Sequence, residues 1–143
     1  MNSNQGIILE ISGKPVTHSY GILAPTFWGR SVLSLYDNKV VEKTKKLIAT
    51  RHCEVLLTEI DSVEISEDGI PFLLVLGILT IAFFGIGLIF FVLYFFMKYK
   101  YILIRSGSNV QVLSISNARE LEQARNFMYS ILAQAEKVKV SSR

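Results

Sequence analysis

Residues 82–90 read AFFGIGLIF and sit in the middle of the longest apolar run in the chain, Ile70 to Met97, 28 residues without a charge. Two glycines, Gly85 and Gly87, interrupt it. The behaviour of the chain at GIG decides whether the polar segments on either side can share one sheet. As a single helix the run would be about 42 Å long, which a core of roughly 30 Å accommodates by tilt. As a hairpin turning at 85–87, its arms 70–84 and 88–97 reach about 22 and 15 Å. Neither arm crosses, and the hairpin is re-entrant. Length alone favours one crossing.

Three arguments favour the hairpin. A single crossing leaves the 46 residues after the run alone on one side, below the size that usually folds unaided. It also requires the segment before the run to be translocated, although MNSNQGIILEIS lacks the basic start and long apolar stretch of a signal peptide. Finally, a lipid-exposed helix gains nothing from Gly-x-Gly, whereas a tight turn needs it. The expectation is a re-entrant hairpin with Gly85 and Gly87 at its tip.

The net charge of +3 is unevenly placed. Seven Lys/Arg face nine Asp/Glu before the run, and eight face three after it. A basic C-terminal flank suggests anionic lipid on the cytoplasmic side. So small a charge lacks the footprint of a nucleic-acid-binding protein, and no nucleic-acid partner is expected.

Outward from the run, GRSVLSLYDNKV reads as two strands joined at Asp37-Asn38. In VLLTEIDSVEIS, Leu56, Thr58 and Ile60 fall on one strand face and Leu57 and Glu59 on the other. A kink is expected near Asp61-Ser62, then a polar turn at Ser66–Gly69. After the run, KYKYILIRSGSNVQVLSIS is a hairpin with its loop at Ser106–Asn109. A helix follows, opened by Asn117 with Glu120 and carrying apolar residues at 121, 124, 128, 131, 135 and 138. Residues 1–29, broken by Gly13, Pro15, Gly21, Pro25 and Gly29, hold at most one or two short strands and read as an N-terminal extension.

Short antiparallel strands ending in one long amphipathic helix resemble the pleckstrin-homology-like (PH-like) fold, and in particular the bacterial PH-like membrane proteins with a helical hairpin inserted between strands. The segments that carry the resemblance are GRSVLSLYDNKV, VLLTEIDSVEI, KYKYILIRSGSNVQVLSIS and NARELEQARNFMYSILAQAEK, covering roughly residues 29–138. It implies an α+β membrane protein: a PH-like sheet in two parts, 30–69 and 98–143, interrupted by the apolar hairpin at 70–97. It implies association with the bacterial inner (cytoplasmic) membrane, the soluble domain facing the cytoplasm.

No residue pattern points to an enzyme or a cofactor. His52 and Cys53 are adjacent on a strand, so their side chains point to opposite faces. Glu59, Asp61, Glu64, Glu67 and Asp68 lack the order of a calcium loop. The candidate contacts are instead interfacial. Lys43, Lys45, Lys46, Lys98, Lys100 and Arg105 are candidate partners for anionic headgroups. Trp28, Tyr94, Tyr99 and Tyr101 are candidate interfacial aromatics. The expected role is a membrane-anchored PH-like binding module acting through anionic lipid or membrane-protein partners, as a homo-oligomer or in a larger complex. The alternative is a single-pass subunit with no lipid-reading role.

Overall fold

The structure, a computed structural model, describes residues 6–19, 22–81 and 85–141. It is an α+β fold built on one curled antiparallel sheet with three helices. The strands are β1 (Leu9–Ser19), β2 (Ile22–Pro25), β3 (Arg30–Leu35), β4 (Lys39–Lys45), β5 (Thr50–Leu56), β6 (Ser62–Gly69), β7 (Lys98–Ser106) and β8 (Asn109–Ile115). Their order is β5-β4-β3-β1-β8-β7-β6, with β2 pairing to β1 off this path. The helices are α1 (Pro71–Thr80), α2 (Ile86–Phe96) and α3 (Ala118–Ser141).

Local signals built three parts as the sequence suggests. Asp37-Asn38 joins β3 to β4, closed by the Tyr36 N–H donating to the Lys39 carbonyl. The β7–β8 hairpin turns at Gly107, whose φ of 54° is left-handed. α3 is capped reciprocally: the Glu120 N–H donates to Asn117 Oδ1 at 2.8 Å, and the Ser116 N–H to Glu120 Oε2 at 2.7 Å. Its apolar stripe packs Ala124, Phe127, Ile131 and Ala135 against the core-facing residues of the sheet, among them Leu33, Leu35, Val40, Val55, Ile102, Ile104 and Leu113.

The structure differs from expectation where pairing is long-range. β1 is an 11-residue strand at the centre of the sheet. Its breakers mark places where one partner hands over to the next: residues 9–13 pair with β3, 14–15 with β8 and 16–19 with β2. A Cβ on Gly13 would run into the Ser114 carbonyl, so glycine is what lets β8 approach. Residues 57–59 leave the strand for a 3-10 turn with Leu57 fully buried, so the alternation expected through Ile60 does not hold. Ser66–Gly69 is no turn; it finishes β6, paired residue for residue with Lys98–Tyr101.

The apolar run requires the main correction. α1 has 10 residues and α2 has 11, about 15 and 16 Å at 1.5 Å per residue, half of a core of about 30 Å. No described helix is long and apolar enough to cross a membrane. The expected class, a membrane protein whose PH-like sheet is interrupted by an apolar helical hairpin, is therefore replaced by the three-helix α+β fold. Among the described residues no helix is long enough to be a transmembrane helix, and the 28-residue helix of the single-pass alternative is not there. The physical reason is that hydropathy counts residues while crossing depends on unbroken helix. Here helix stops at Thr80 and restarts at Ile86. Residues 82–84, the end of the first expected arm, lie outside the described residues.

Candidate functional site

α1 and α2 pack on each other through glycine. A Cβ on Gly87 would lie 2.5 Å from the Gly77 carbonyl oxygen and 2.6 Å from the Ile81 nitrogen, so α2 rests directly on the backbone of α1. Gly85 has a different role. Its φ is 77° with nothing within 4 Å of a built Cβ, and it is the residue from which α2 starts. The two glycines expected together at one tip thus divide into a left-handed helix start and a close-packing contact.

Around that contact the pair is apolar on every side. Phe72, Val75, Ile78 and Leu79 of α1, and Leu88, Ile89, Val92, Phe95 and Phe96 of α2, are exposed. The one hydroxyl of α1, Thr80, is satisfied within the helix by donating to the Leu76 carbonyl at 2.7 Å. Tyr94 is half-buried; its ring packs over Gly69 and meets Phe95 edge-on, with centroids 5.5 Å apart.

A second apolar surface lies at the tips of two adjacent loops, 26–29 between β2 and β3, and 46–49 between β4 and β5. Phe27 is 90 % exposed, Trp28 73 %, Leu47 83 % and Ile48 95 %. The loops touch: Gly29, with φ 111°, would place a Cβ 2.5 Å from the Lys45 carbonyl oxygen. The Lys46 N–H closes the second loop on the Ala49 carbonyl at 2.8 Å. Trp28, a candidate interfacial aromatic from the sequence, is exposed here. Leu47 and Ile48 were not candidates, because KLIATRHC reads as continuous strand.

The candidate basic residues separate by environment. Lys43, Lys45, Lys46 and Lys98 are exposed and, among the described residues, form no salt bridge. Lys100 pairs with Glu67 at 2.9 Å, and Arg105 with Glu64 at 2.9 Å. The hydrogen bond from the Lys100 ammonium holds the Glu67 carboxyl below the usual carboxylate range. Among the described residues, Lys45 and Lys46 are therefore exposed charges without a salt bridge beside the tip, and Lys98, where α2 rejoins the sheet, acts on Glu67 only at longer range.

Tyr101 belongs to the interior. It is fully buried, and its hydroxyl donates to the Leu23 carbonyl of β2 at 3.1 Å. Burial, with Asp68 and Tyr99 adding, pushes its phenol up to about 12. Tyr99 is half-buried beside it, with ring centroids 6.4 Å apart. His52 hydrogen-bonds Glu54 at 2.9 Å, whose carboxyl Lys39 and His52 hold down. Cys53 packs against the core. Among the described residues no group of three His, Cys, Asp or Glu is placed to hold a metal ion.

One cluster had no counterpart in the sequence reading. Glu42 of β4 is buried, 6 % exposed, together with Ser31 and Thr44. The Thr44 hydroxyl donates to Glu42 Oε1 at 2.8 Å, and Ser31 Oγ is 3.3 Å from the same oxygen. Among the described residues Glu42 Oε2 has no partner. Glu42 lines a cavity of about 930 Å³ that also touches Lys46, Arg51, Asp68 and the Arg105–Glu64 pair. The available signal was Glu42 alternating with Val40 and Thr44 on the face that Val40 buries, a charged residue on a core-facing row.

No known protein family, curated protein or solved structure matches the chain.

Proposed function

We propose that the protein is a PH-like binding module held at a lipid surface on the cytoplasmic face of the membrane, with the exposed apolar side chains of α1 and α2 in contact with that surface. The observation that carries this reading is the apolar surface of the helix pair on all of its sides. A helix that docks on a protein groove presents one apolar stripe and keeps a polar face for water. A helix apolar all round suits a surrounding medium that is itself apolar. The alternative environment, water, would leave exposed ten large hydrophobic side chains in two adjacent helices.

The charges support lipid over a second copy of the chain. Lys98 at the end of α2, and Lys45 and Lys46 beside the Phe27–Trp28 and Leu47–Ile48 tip, form no salt bridge among the described residues. Each near-surface lysine adds about 1 kcal/mol of attraction to anionic lipid. The order of sheet and C-terminal helix supports the PH-like assignment.

The test is co-flotation of the full chain with vesicles containing anionic lipid. The wild-type protein floats, and emission of Trp28, the single tryptophan, shifts to the blue as the tip leaves water. The Phe95→Ser/Phe96→Ser variant, altered only at exposed positions, keeps its circular dichroism and loses flotation. A wild-type chain that stays with the soluble fraction at low salt overturns the proposal, and its self-association in that fraction assigns the apolar helices to a protein interface.

A further inference from the structure

Glu42 and Gln111 each keep a buried acceptor without a donor among the described residues. Gln111 is fully buried; its Nε2 donates to the Cys53 carbonyl at 3.1 Å, and its Oε1 has no partner among the described residues. Cys53 is also the register partner of Glu42, so β4 and β8 bring both side chains to the same residue of β5. Both unpartnered atoms, Glu42 Oε2 and Gln111 Oε1, are acceptors. A buried acceptor without a donor is destabilising, and a buried carboxylate oxygen more so than an amide oxygen. What Glu42 lacks is a group with N–H donors and a positive charge; Gln111 alternates with Val110 and Val112, which line the cavity, and is not itself part of the lining.

The rim of the cavity asks for the opposite charge. Lys46 and Arg51 both line it and form no salt bridge among the described residues. Arg51 pairs in register with Thr44, two residues along the strand from Cys53, so it stands next to the Glu42 position on the same face. Asp68 adds a carboxylate, and Arg105 is occupied by Glu64. The remaining wall is mixed, with Val16, Leu23, Leu103 and Val112 beside the polar Thr17, Ser66 and Asn109. The volume is within the range of sites that hold small ligands. Lys46 also starts the loop that carries Leu47 and Ile48, so the cavity adjoins the exposed apolar tip.

Resting on the lipid-surface reading above, we propose that this cavity binds a headgroup in which a primary ammonium is joined by a short linker to a phosphodiester. Glu42 receives the ammonium, and Lys46 and Arg51 hold the phosphate. The tip then meets the acyl region to which that headgroup is attached. The preference is for ammonium over trimethylammonium, because a quaternary nitrogen carries the charge but has no N–H to give Glu42 Oε2.

The test compares full-chain binding to vesicles of equal anionic content whose remaining lipid is phosphatidylethanolamine or phosphatidylcholine, alongside titration with soluble glycerophosphoethanolamine and glycerophosphocholine. A charge-assisted hydrogen bond at a buried site predicts about tenfold or more preference for the ethanolamine form in both arms. Glu42→Gln should abolish that preference while leaving flotation on anionic vesicles intact. Lys46→Gln/Arg51→Gln, at exposed positions, should weaken both headgroups together. Saturable binding of the soluble ethanolamine compound with no vesicle preference assigns the site to a free metabolite of the same chemistry and overturns the lipid source. Equal binding of both headgroups, or a vesicle preference that survives Glu42→Gln, overturns the proposal while leaving the lipid-surface reading standing. Absence of flotation altogether is the separate failure of that reading.

Discussion

Replacing Gly87 by alanine tests the contact that holds α1 to α2. The new Cβ would sit 2.5 Å from the Gly77 oxygen, 2.6 Å from the Ile81 nitrogen and 2.7 Å from the Ile81 Cα, where ordinary contact begins at 3.4 Å. All three are backbone atoms, so no side chain can rotate away and the helices must separate by close to an ångström. A gap of that size forfeits a quarter to a half of each dispersion contact along the interface, and overpacking against backbone that cannot rotate away takes the upper part of the usual range, about 2–3 kcal/mol. Alanine recovers up to about 1 kcal/mol of helix propensity, leaving a net loss of about 1–2 kcal/mol. Gly77→Ala is the matched control. Its Cβ meets the Phe91 ring at 3.2 and 3.3 Å and the Gly87 oxygen at 3.4 Å, and the ring can shift, so the propensity gain offsets most of the strain. The assay is amide hydrogen exchange across α1 and α2 in the full chain, because the pair touches the sheet mainly through β6 and global unfolding need not report it. Gly87→Ala should speed exchange about 5- to 30-fold, and Gly77→Ala should leave it within a few-fold. Exchange in Gly87→Ala as slow as in the wild type would refute the close approach.

Three further outcomes follow from the same physical arguments. Tyr101 favours its protonated form in the fold, so its contribution to stability is complete below the unfolded value near 10 and is lost as pH rises through about 12; urea midpoints across that window should fall more steeply for wild type than for Tyr101→Phe. Asn117→Ala removes the acceptor for the Glu120 N–H and should lower stability by about 1 kcal/mol, read as a denaturation midpoint shift at unchanged slope. Phe127→Ala, at the fully buried centre of the α3 stripe, should cost about 3–5 kcal/mol in the same measurement.

What was legible in the sequence was local. The β3–β4 and β7–β8 pairs announce themselves by a turn residue between two alternating stretches, and α3 by its cap and its stripe. What was not legible depended on partners far along the chain. Gly13 and Pro15 look like breaks until β8 is beside them. Ser66–Gly69 looks like a polar turn until β7 supplies its ladder and Lys100 its counter-charge. Tyr101 looked interfacial because it follows the apolar run, yet β7 alternates: Lys100 and Ile102 share one face and Tyr101 the other, which β2 covers from 78 residues away. The candidate site divided in the same way. Trp28 and the exposed lysines are candidates by residue type and position, whereas Glu42 requires knowing which face of β4 is buried, and two successive valines at 40 and 41 leave that open.

The register of β6 and β7 decides what residue counting along the run could not. The two strands pair from Ser62↔Arg105 to Gly69↔Lys98, so the chain leaves the sheet at Gly69 and rejoins it at that residue's own partner. Paired strands lie about 5 Å apart, and a straight helix of about 42 Å cannot begin and end at such neighbours. The sheet therefore forces the apolar segment to reverse, and a reversal shared between 28 residues limits either helix to roughly half a bilayer. Gly85 supplies the left-handed residue that starts the return, and Gly87 with Gly77 lets the two helices touch closely enough to cover each other's backbones. Depth and pairing are thus one constraint: a longer helix pair would still be compatible with the β6–β7 ladder, but a single crossing would not. Inserting one helical turn into each of α1 and α2 should leave the hydrogen-exchange protection of β6 and β7 unchanged. Converting the segment into one uninterrupted helix by replacing both Gly85 and Gly87 with leucine should expose those strands, and retained protection there would show that the reversal does not depend on glycine.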